Sequence, residues 1–174
     1  KYQLYKGTGL TSGYLGKSNG LGDIELATPI APLEIGNRVW IDTDSDGIQD
    51  AGEAAISGVT VQLVNSSGTV IATAVTSATG NYYFSNATGT NTTSAIYGIT
   101  GLTQNTTYTV RIPNVSGGSK QAALGLNSLT TANAGGGTPG TQADVRDSDG
   151  SVVGVNAEAS VLTTQIPVSL SLIH

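Results

Sequence analysis

The sequence predicts an all-β protein, built as a sandwich or barrel of short antiparallel strands. Residues that favour helices are sparse, whereas β-branched Val, Ile and Thr are abundant. Glycine or asparagine interrupts the chain about every eight to twelve residues, which is the strand-and-turn spacing of such folds. Hydrophobic residues make up 38% of the chain and aromatic residues only 5%, so aliphatic side chains must fill most of the core.

Several segments have the composition of strands, and two of them alternate clearly. In residues 58–65, Val59, Val61 and Leu63 occupy one face and the even-numbered residues the other. Residues 166–173 alternate in the same way. The predicted strands cover residues 33–41, 58–65, 68–76, 80–86, 107–113, 157–163 and 166–173.

The chain is expected to contain one sandwich domain with a different kind of segment before it. Residues 1–32 are rich in glycine and weakly patterned, which predicts an N-terminal arm, a linker or the tail of a preceding domain. Residues 33–174 form the predicted domain, in which residues 114–143 form a long loop or edge region. The chain has no methionine and starts with Lys1, so we expect that a signal peptide or a longer polypeptide preceded it.

The composition excludes several classes of function. Charged residues are 11% of the chain, against about a quarter in typical soluble domains, and the net charge is −5. An acidic chain is a poor partner for nucleic acid or for an anionic membrane. No apolar run approaches the roughly 18 residues that cross a bilayer. Because the chain has no cysteine, disulfides and thiolate zinc sites are excluded.

One short segment concentrates negative charge. Residues 42–53, DTDSDGIQDAGE, contain five acidic side chains and two glycines but no basic residue. Counted from the first of them, carboxylates stand at positions 1, 3, 5, 9 and 12, with Gly47 at position 6 and Ile48 at position 7. This is the ligand spacing of an EF-hand calcium loop. The predicted ligands are Asp42, Asp44, Asp46, the backbone carbonyl of Ile48, Asp50 and Glu53.

The spacing has a physical basis. Alternate side chains of a tightly curled loop point inward, the glycine permits the sharp turn, and the last glutamate can supply two oxygens. Hard oxygen ligands in this number select Ca²⁺ over Zn²⁺, Cu²⁺ or Mg²⁺. The alternative is a solvated acidic turn without a metal. Because the flanking segments are strand-like rather than helical, we expect a structural ion and not a calcium sensor.

A second acidic cluster lies far away in the sequence. Residues 143–151, ADVRDSDGS, contain Asp144, Asp147 and Asp149. One interpretation is a second calcium site, which shares ligands with the first loop if the strand order brings the two together. The other is again a solvated turn.

Four stretches carry a resemblance to a known family. Residues 35–65, 80–86, 101–113 and 147–150 resemble the B-type repeat domains of serine-aspartate-repeat adhesins, the SdrD B-like domains of the wider collagen-adhesin B-like group. The resemblance covers roughly residues 33–174. It implies an immunoglobulin-like, prealbumin-like antiparallel β-sandwich in a secreted bacterial surface protein, in which calcium stiffens tandem domains into a stalk. The residues that match the family's calcium loop are Asp42, Asp44, Asp46, Asp50 and Glu53; Asp147 and Asp149 match its later acidic turn, and Asp144 is added because of its proximity.

One departure from the wider group concerns cross-linking. Some of its members are stapled by a Lys–Asn isopeptide bond that starts from a lysine in the first strand. Here that strand carries Arg38, and the only lysine within the predicted sandwich is Lys120, in the loop-like region. We therefore expect no isopeptide bond, and calcium takes the stabilising role.

The expected function is that of a calcium-stabilised stalk or spacer module in a secreted bacterial cell-surface protein of the adhesin type. Its expected partners are neighbouring domains or subunits of the same surface protein. The alternative is a self-assembling subunit of an extracellular filament, which polymerises by strand addition through residues 1–32 or 166–173. An enzyme is not expected, because the only histidine is the terminal His174 and the acidic residues follow a metal-ligand spacing.

Overall fold

The structure of this chain, a computed structural model, describes residues 31–135 and 146–163. Within these residues, regular secondary structure consists of eight β-strands and one 3₁₀ turn. The all-β prediction is therefore confirmed. The strands are β1 (Glu34–Arg38), β2 (Thr60–Val64), β3 (Val70–Val75), β4 (Asn81–Ser85), β5 (Ala95–Ile96), β6 (Thr107–Ile112), β7 (Ser151–Val153) and β8 (Asn156–Leu162), and the 3₁₀ turn covers Ala122–Leu124.

The strands form two sheets. The smaller sheet has the order β1-β4-β5, and the larger has the order β3-β2-β6-β8-β7. The described pairings are antiparallel except for the short parallel pairing of β4 with β5, which departs from the purely antiparallel arrangement expected. Buried side chains from both sheets join in one hydrophobic core, so the two sheets form the predicted sandwich.

The core is mainly aliphatic, as the composition predicts. The side chains of Val59, Val61 and Leu63 are each 0% exposed, which confirms the buried face predicted for this segment. Val64, on the other face, is also buried. Two aromatic side chains join them, Phe84 from β4 and Tyr108 from β6. The core cluster consists of Ile35, Ile56, Val59, Val61, Leu63, Ala74, Phe84, Ile99, Leu102, Tyr108, Val110 and Leu124.

The buried Tyr108 keeps its polar end satisfied. Its hydroxyl donates a hydrogen bond to the carbonyl of Gly101 at 2.7 Å and accepts one from the amide of Thr103 at 2.8 Å. A buried tyrosine hydroxyl needs such partners, since an unpaired polar group in the core destabilises the fold. The contact ties the segment before β6 to the core.

The predicted strands that fall on described residues are present. Five of them are shorter than predicted, and the strand predicted over 157–163 is shifted by one residue, to Asn156–Leu162. The clearest difference is the first strand, predicted over 33–41, because β1 ends at Arg38 and Trp40 instead forms an isolated bridge with Ala55. Strands β5 and β7 were not predicted. With two and three residues they are too short to show an alternating pattern. The predicted strand 166–173 lies outside the described residues.

Two further segments had their own predictions, a long loop or edge region for residues 114–143 and an arm, linker or tail of a preceding domain for residues 1–32. In residues 114–135, the described part of the predicted loop 114–143, the structure has the 3₁₀ turn, one isolated bridge at Ala132 and otherwise irregular backbone. The described strands lie in the unit that begins at Pro32. The predicted arm or linker, residues 1–32, falls almost wholly outside the described residues and stays a prediction.

Gly80, just before β4, provides a test of the close contact between the β1 and β4 regions. Its φ is +77°, and a Cβ built there would lie 2.4 Å from the carbonyl oxygen of Val39. Gly68 has a similar φ of +80° but open space around it. Both alanine substitutions should lose about 1–2 kcal/mol of unfolding free energy from the left-handed backbone. Gly80→Ala should lose about 1–3 kcal/mol more from the steric clash. Urea unfolding measures both, and equal losses would contradict the crowding at Gly80.

Candidate metal centre

A short antiparallel contact closes the acidic loop, residues 42–53. Trp40 and Ala55 form an antiparallel bridge immediately outside it, and the amide of Ile41 donates to the carbonyl of Ala54 at 2.8 Å. The two ends of the loop are thus held side by side by extended backbone. The prediction that strand-like segments and not helices flank the loop is confirmed.

Three of the predicted carboxylates converge inside the loop. Oxygens of Asp42, Asp44 and Asp46 lie within 4.8 Å of one another. The curl that brings them together uses left-handed backbone at Ser45 and Gly47, whose φ angles are 65° and 80°. A group of carboxylate oxygens at this spacing can hold a metal ion.

Hydrogen bonds fix the orientation of the first of these carboxylates. Asp42 Oδ1 accepts from the amide of Asp46 at 3.2 Å, and Oδ2 accepts from the amide of Gly47 at 2.9 Å and from the hydroxyl of Thr130. The Thr130 hydroxyl and the backbone amides lower the pKa of Asp42. The folded loop therefore favours the charged form of this side chain.

The neighbouring carboxylate has the opposite tendency. Loss of hydration, followed by the negative charges of Asp46 and Asp42, raises the pKa of Asp44. The ion pair found among the described residues joins Arg111 Nε to Glu158 Oε1 at 2.6 Å and lies on the β6–β8 pair. Within that part of the chain, no basic side chain forms an ion pair with the three converging carboxylates.

The last two predicted carboxylate ligands lie outside the converging group. Glu53 Oε1 accepts from the amide of Thr43 at 2.8 Å, and Oε2 accepts from the amide of Asp50 at 2.9 Å. The Glu53 side chain therefore connects the beginning of the loop with its end. Its role and that of Asp50 as ligands stay predictions.

The second acidic stretch pairs directly with the first through the backbone. The amide of Gln49 donates to the carbonyl of Arg146 at 2.7 Å, and the amide of Ser148 donates to the carbonyl of Gly47 at 3.0 Å. The sequence left open whether the two stretches meet. In the fold they form one contiguous acidic region.

The same pairing orients the backbone of Ile48. Ile48 faces Asp147 in an antiparallel bridge whose hydrogen bonds are made by the flanking residues. In this type of pair, the N–H and C=O of the central residue point away from the partner strand. The amide of Ile48 accordingly donates to Asp46 Oδ1 at 2.7 Å. The role of the Ile48 carbonyl as a ligand stays a prediction.

Asp147 is buried beside the loop with one oxygen unpaired. Its exposure is only 3%, and Oδ2 accepts from the amide of Gly135 at 3.0 Å, but Oδ1 is buried and has no hydrogen-bond partner among the described residues. A buried carboxylate oxygen without a partner is costly, and such an atom is typical of a site that takes a cation. Asp149 is exposed, and its charge adds to desolvation in raising the pKa of Tyr82. Asp144 lies outside the described residues.

A third segment, residues 128–135, contacts both acidic stretches and is called the bridging loop here. Thr130 donates to Asp42, and the amide of Asn133 donates to the carbonyl of Ser148 at 2.7 Å. Nothing in the sequence singles out Thr130, because it is one hydroxyl in a long segment of Ser, Thr, Asn and Ala. Only the fold shows that it reaches a predicted ligand.

A cavity of about 620 Å³ lies beside this region. Trp40 lines it, and the indole Nε1 of Trp40 is buried with no hydrogen-bond partner among the described residues. Trp40 belongs to the loop stem, which is the Trp40–Ala55 bridge that closes the acidic loop, and it also lines this cavity. Other lining residues are Ile112, Val115, Leu124, Leu129 and Asp147.

Comparison with known proteins defines the class of this domain. The family model of the SdrD B-like domain matches residues 33–166, which is most of the chain. The chain therefore belongs to the SdrD B-like domain family, and the resemblance noted in the sequence is confirmed. The B-type domains of this family are structural repeats of surface adhesins and not enzymes.

Individual relatives are large bacterial proteins. The chain is 42% identical over 80 residues to the bone sialoprotein-binding protein of Staphylococcus aureus strain MRSA252 and to serine-aspartate repeat-containing protein E of strain MSSA476. The match covers 44% of this chain and 7% of each relative. The chain thus corresponds to a small part of these proteins. Among the residues described, no helix has the length and apolar character needed to cross a membrane.

Opposite pKa shifts predict opposite mutational effects in metal-free buffer. Asp44→Asn removes a charge that the folded loop disfavours, so it should raise the urea midpoint in EGTA. Asp42→Asn removes a charge that the folded loop favours and an acceptor for three donors, so it should lower the midpoint. The two variants are matched in chemistry and lie in the same loop. A lowered midpoint for both would contradict the repulsion inferred at Asp44.

Proposed function

We propose that this domain binds Ca²⁺ at residues 42–53 and that the ion stiffens a structural module of a secreted bacterial surface protein. The observation that carries the proposal is the convergence of three carboxylates in a loop closed by extended backbone. The proposed ligands are Asp42, Asp44, Asp46, the carbonyl of Ile48, Asp50 and Glu53.

The donor set fits calcium. The proposed ligand atoms are carboxylate or carbonyl oxygens, and among the described residues no histidine or cysteine stands near them. Oxygen-rich sets of this size suit Ca²⁺, which accepts six to eight ligands in flexible geometry. Bound Ca²⁺ would supply the positive charge that the converging carboxylates lack. The Glu53 carboxylate accepts the backbone amides of Thr43 and Asp50. It would complete the set together with the Asp50 carboxylate, through modest side-chain rotation or bridging water.

A second cation position is proposed at the later acidic turn, with Asp144, Asp147 and Asp149 as ligands. The unpaired, buried oxygen of Asp147 supports this proposal, because it lies next to the first loop and has no other described partner. Backbone pairing of the two stretches means that the two positions are neighbours and can share ligands. Neutralising one site would therefore reduce repulsion at the other.

The arrangement favours a mechanical role over a signalling role. The loop joins β1 to the segment before β2, and its ends are fixed by extended backbone rather than by helices that could swing apart. An ion here would lock the loop stem to residues 146–148 and so tie distant parts of the chain together. Family membership supports a stalk or spacer module that adjoins other domains of the same extracellular protein.

A filament subunit is the second candidate. The observation that favours it is strand β7, which is the outermost strand of the larger sheet as described and exposes Val152 by 61% and Val153 by 50%. An uncharged, apolar edge strand can pair with a strand from another copy. The stalk proposal is preferred because β7 has only three residues, and a short edge offers little backbone for pairing.

Calcium removal should weaken the fold. If the free Ca²⁺ concentration is a hundred times the dissociation constant, one site adds about 2.7 kcal/mol to the unfolding free energy. We expect a melting temperature that falls by several degrees in EGTA, is restored by Ca²⁺ and is not restored by equal Mg²⁺. Differential scanning calorimetry measures the change, and Asp44→Ala with Asp46→Ala should abolish it. An identical melting temperature in Ca²⁺ and EGTA would mean that residues 42–53 are a solvated acidic turn without a metal.

The same samples separate the two candidate functions. Light scattering after size-exclusion chromatography should show a monomer in both buffers if the chain is a stalk module. Concentration-dependent assembly that disappears in Val152→Lys, a charged edge substitution, would favour the filament subunit instead. Val70→Lys, on the opposite edge strand β3, is the matched control.

A further inference from the structure

We propose that the bridging loop, residues 128–135, is the third element of the calcium centre, and that Thr130 is a positioning residue that couples its order to the ion. The inference rests on the proposed calcium function and extends it to residues that have no place in the EF-hand spacing. Its consequence is that calcium changes how far Trp40 and the cavity beside it are exposed to water.

The first step is the contact between the bridging loop and the proposed ligands. The Thr130 hydroxyl donates to Asp42 Oδ2, the same oxygen that accepts the amide of Gly47. With these donors in place, the Asp42 carboxylate has a fixed direction before any ion arrives. Groups that orient a metal ligand in this way commonly contribute to affinity although they never touch the metal.

The second step is the close packing of the bridging loop on the turn of the acidic loop. A Cβ built at Gly47 would lie 2.6 Å from the carbonyl oxygen of Thr131 and 2.7 Å from Cβ of Ala134. The bridging loop therefore passes directly over the turn that brings the carboxylates together. A change in the curl of residues 42–53 cannot occur without displacing it.

The third step is its attachment to the second acidic stretch. Ala132 forms a parallel bridge with Ser148, the amide of Asn133 donates to the Ser148 carbonyl at 2.7 Å, and the amide of Gly135 donates to Asp147 at 3.0 Å. The bridging loop is thus bonded to both acidic stretches. Without a cation, repulsion between the carboxylates would push apart the two surfaces that it connects.

The fourth step concerns the cavity. Leu129 and Thr130 form part of its wall, and Trp40 stands at the stem of the acidic loop within the same lining. Release of the bridging loop would remove this wall and increase the exposure of the half-buried indole ring to water. Because Trp40 is the only tryptophan in the chain, its fluorescence reports the change without a label.

The test uses three substitutions in the intact chain. Thr130→Val removes the hydroxyl and keeps the shape, and Thr130→Ser restores a hydroxyl. Thr131→Val is the matched control, because the side chain of Thr131 is exposed and makes no described hydrogen bond. Calcium affinity is measured by isothermal titration calorimetry, and the order of the bridging loop by hydrogen–deuterium exchange of the peptide spanning residues 128–135. Tryptophan emission is recorded in Ca²⁺ and in EGTA.

In the unmodified chain, EGTA should speed exchange in residues 128–135 and shift the Trp40 emission to longer wavelength. Thr130→Val should weaken calcium binding about ten-fold, as for other groups that orient a metal ligand, and should show fast exchange at calcium levels that protect the parent chain. Thr130→Ser should recover most of the affinity, and Thr131→Val should match the parent chain.

The possible failures are distinguishable. If the parent chain binds calcium but Thr130→Val retains its affinity, or if the bridging loop exchanges equally in Ca²⁺ and EGTA, the role of Thr130 is wrong and the calcium function stands. If the parent chain shows no calcium-dependent heat, exchange or melting change, the calcium function itself is wrong. If Thr130→Val does not fold, as judged by its circular dichroism, Thr130→Ser and the parent chain still decide the calcium dependence of the bridging loop.

Discussion

Like charge at the meeting point of two loops is the constraint on which the rest of this structure depends. Backbone pairing between residues 47–49 and 146–148 places the buried Asp147 against a loop that already holds three converging carboxylates. Neutral donors, mainly backbone amides and one threonine hydroxyl, offset part of the repulsion. They orient the carboxylates without removing their charge, so the folded loop keeps a local negative charge that a bound cation would neutralise.

The sandwich itself could be predicted well from the sequence because its determinants are local. The alternating residues of β2 and the regular turn signals depend on neighbours a few positions away, and the structure agrees with both. Strand ends were less predictable. The first strand was predicted to run through residue 41, but Trp40 pairs with Ala55 because the acidic loop needs a closed stem, which is a tertiary requirement. Strands as short as β5 and β7 leave no periodic signal.

The site was predictable only where its residues follow one another closely. The spacing of Asp42, Asp44 and Asp46 encodes their convergence, because curling a single loop is enough to bring them together. The contact between Asp147 and the first loop depends on how the segment before β7 packs in the fold. From the sequence, this contact was only one of two interpretations. The contact from Thr130 spans 88 residues and involves one hydroxyl among many, so no sequence pattern identifies it.

Gly47 is required for two separate structural reasons. The left-handed turn of the acidic loop requires it, and so does the passage of Thr131 and Ala134 directly above it. In a descendant that had lost every acidic side chain of the loop, the second demand would still preserve the glycine. A glycine at this position in a divergent sequence is therefore weak evidence of ion binding. It is strong evidence that the bridging loop packs over the same turn. In a comparison of such sequences, the residue at position 130 would therefore say more about ion binding than the glycine at position 47.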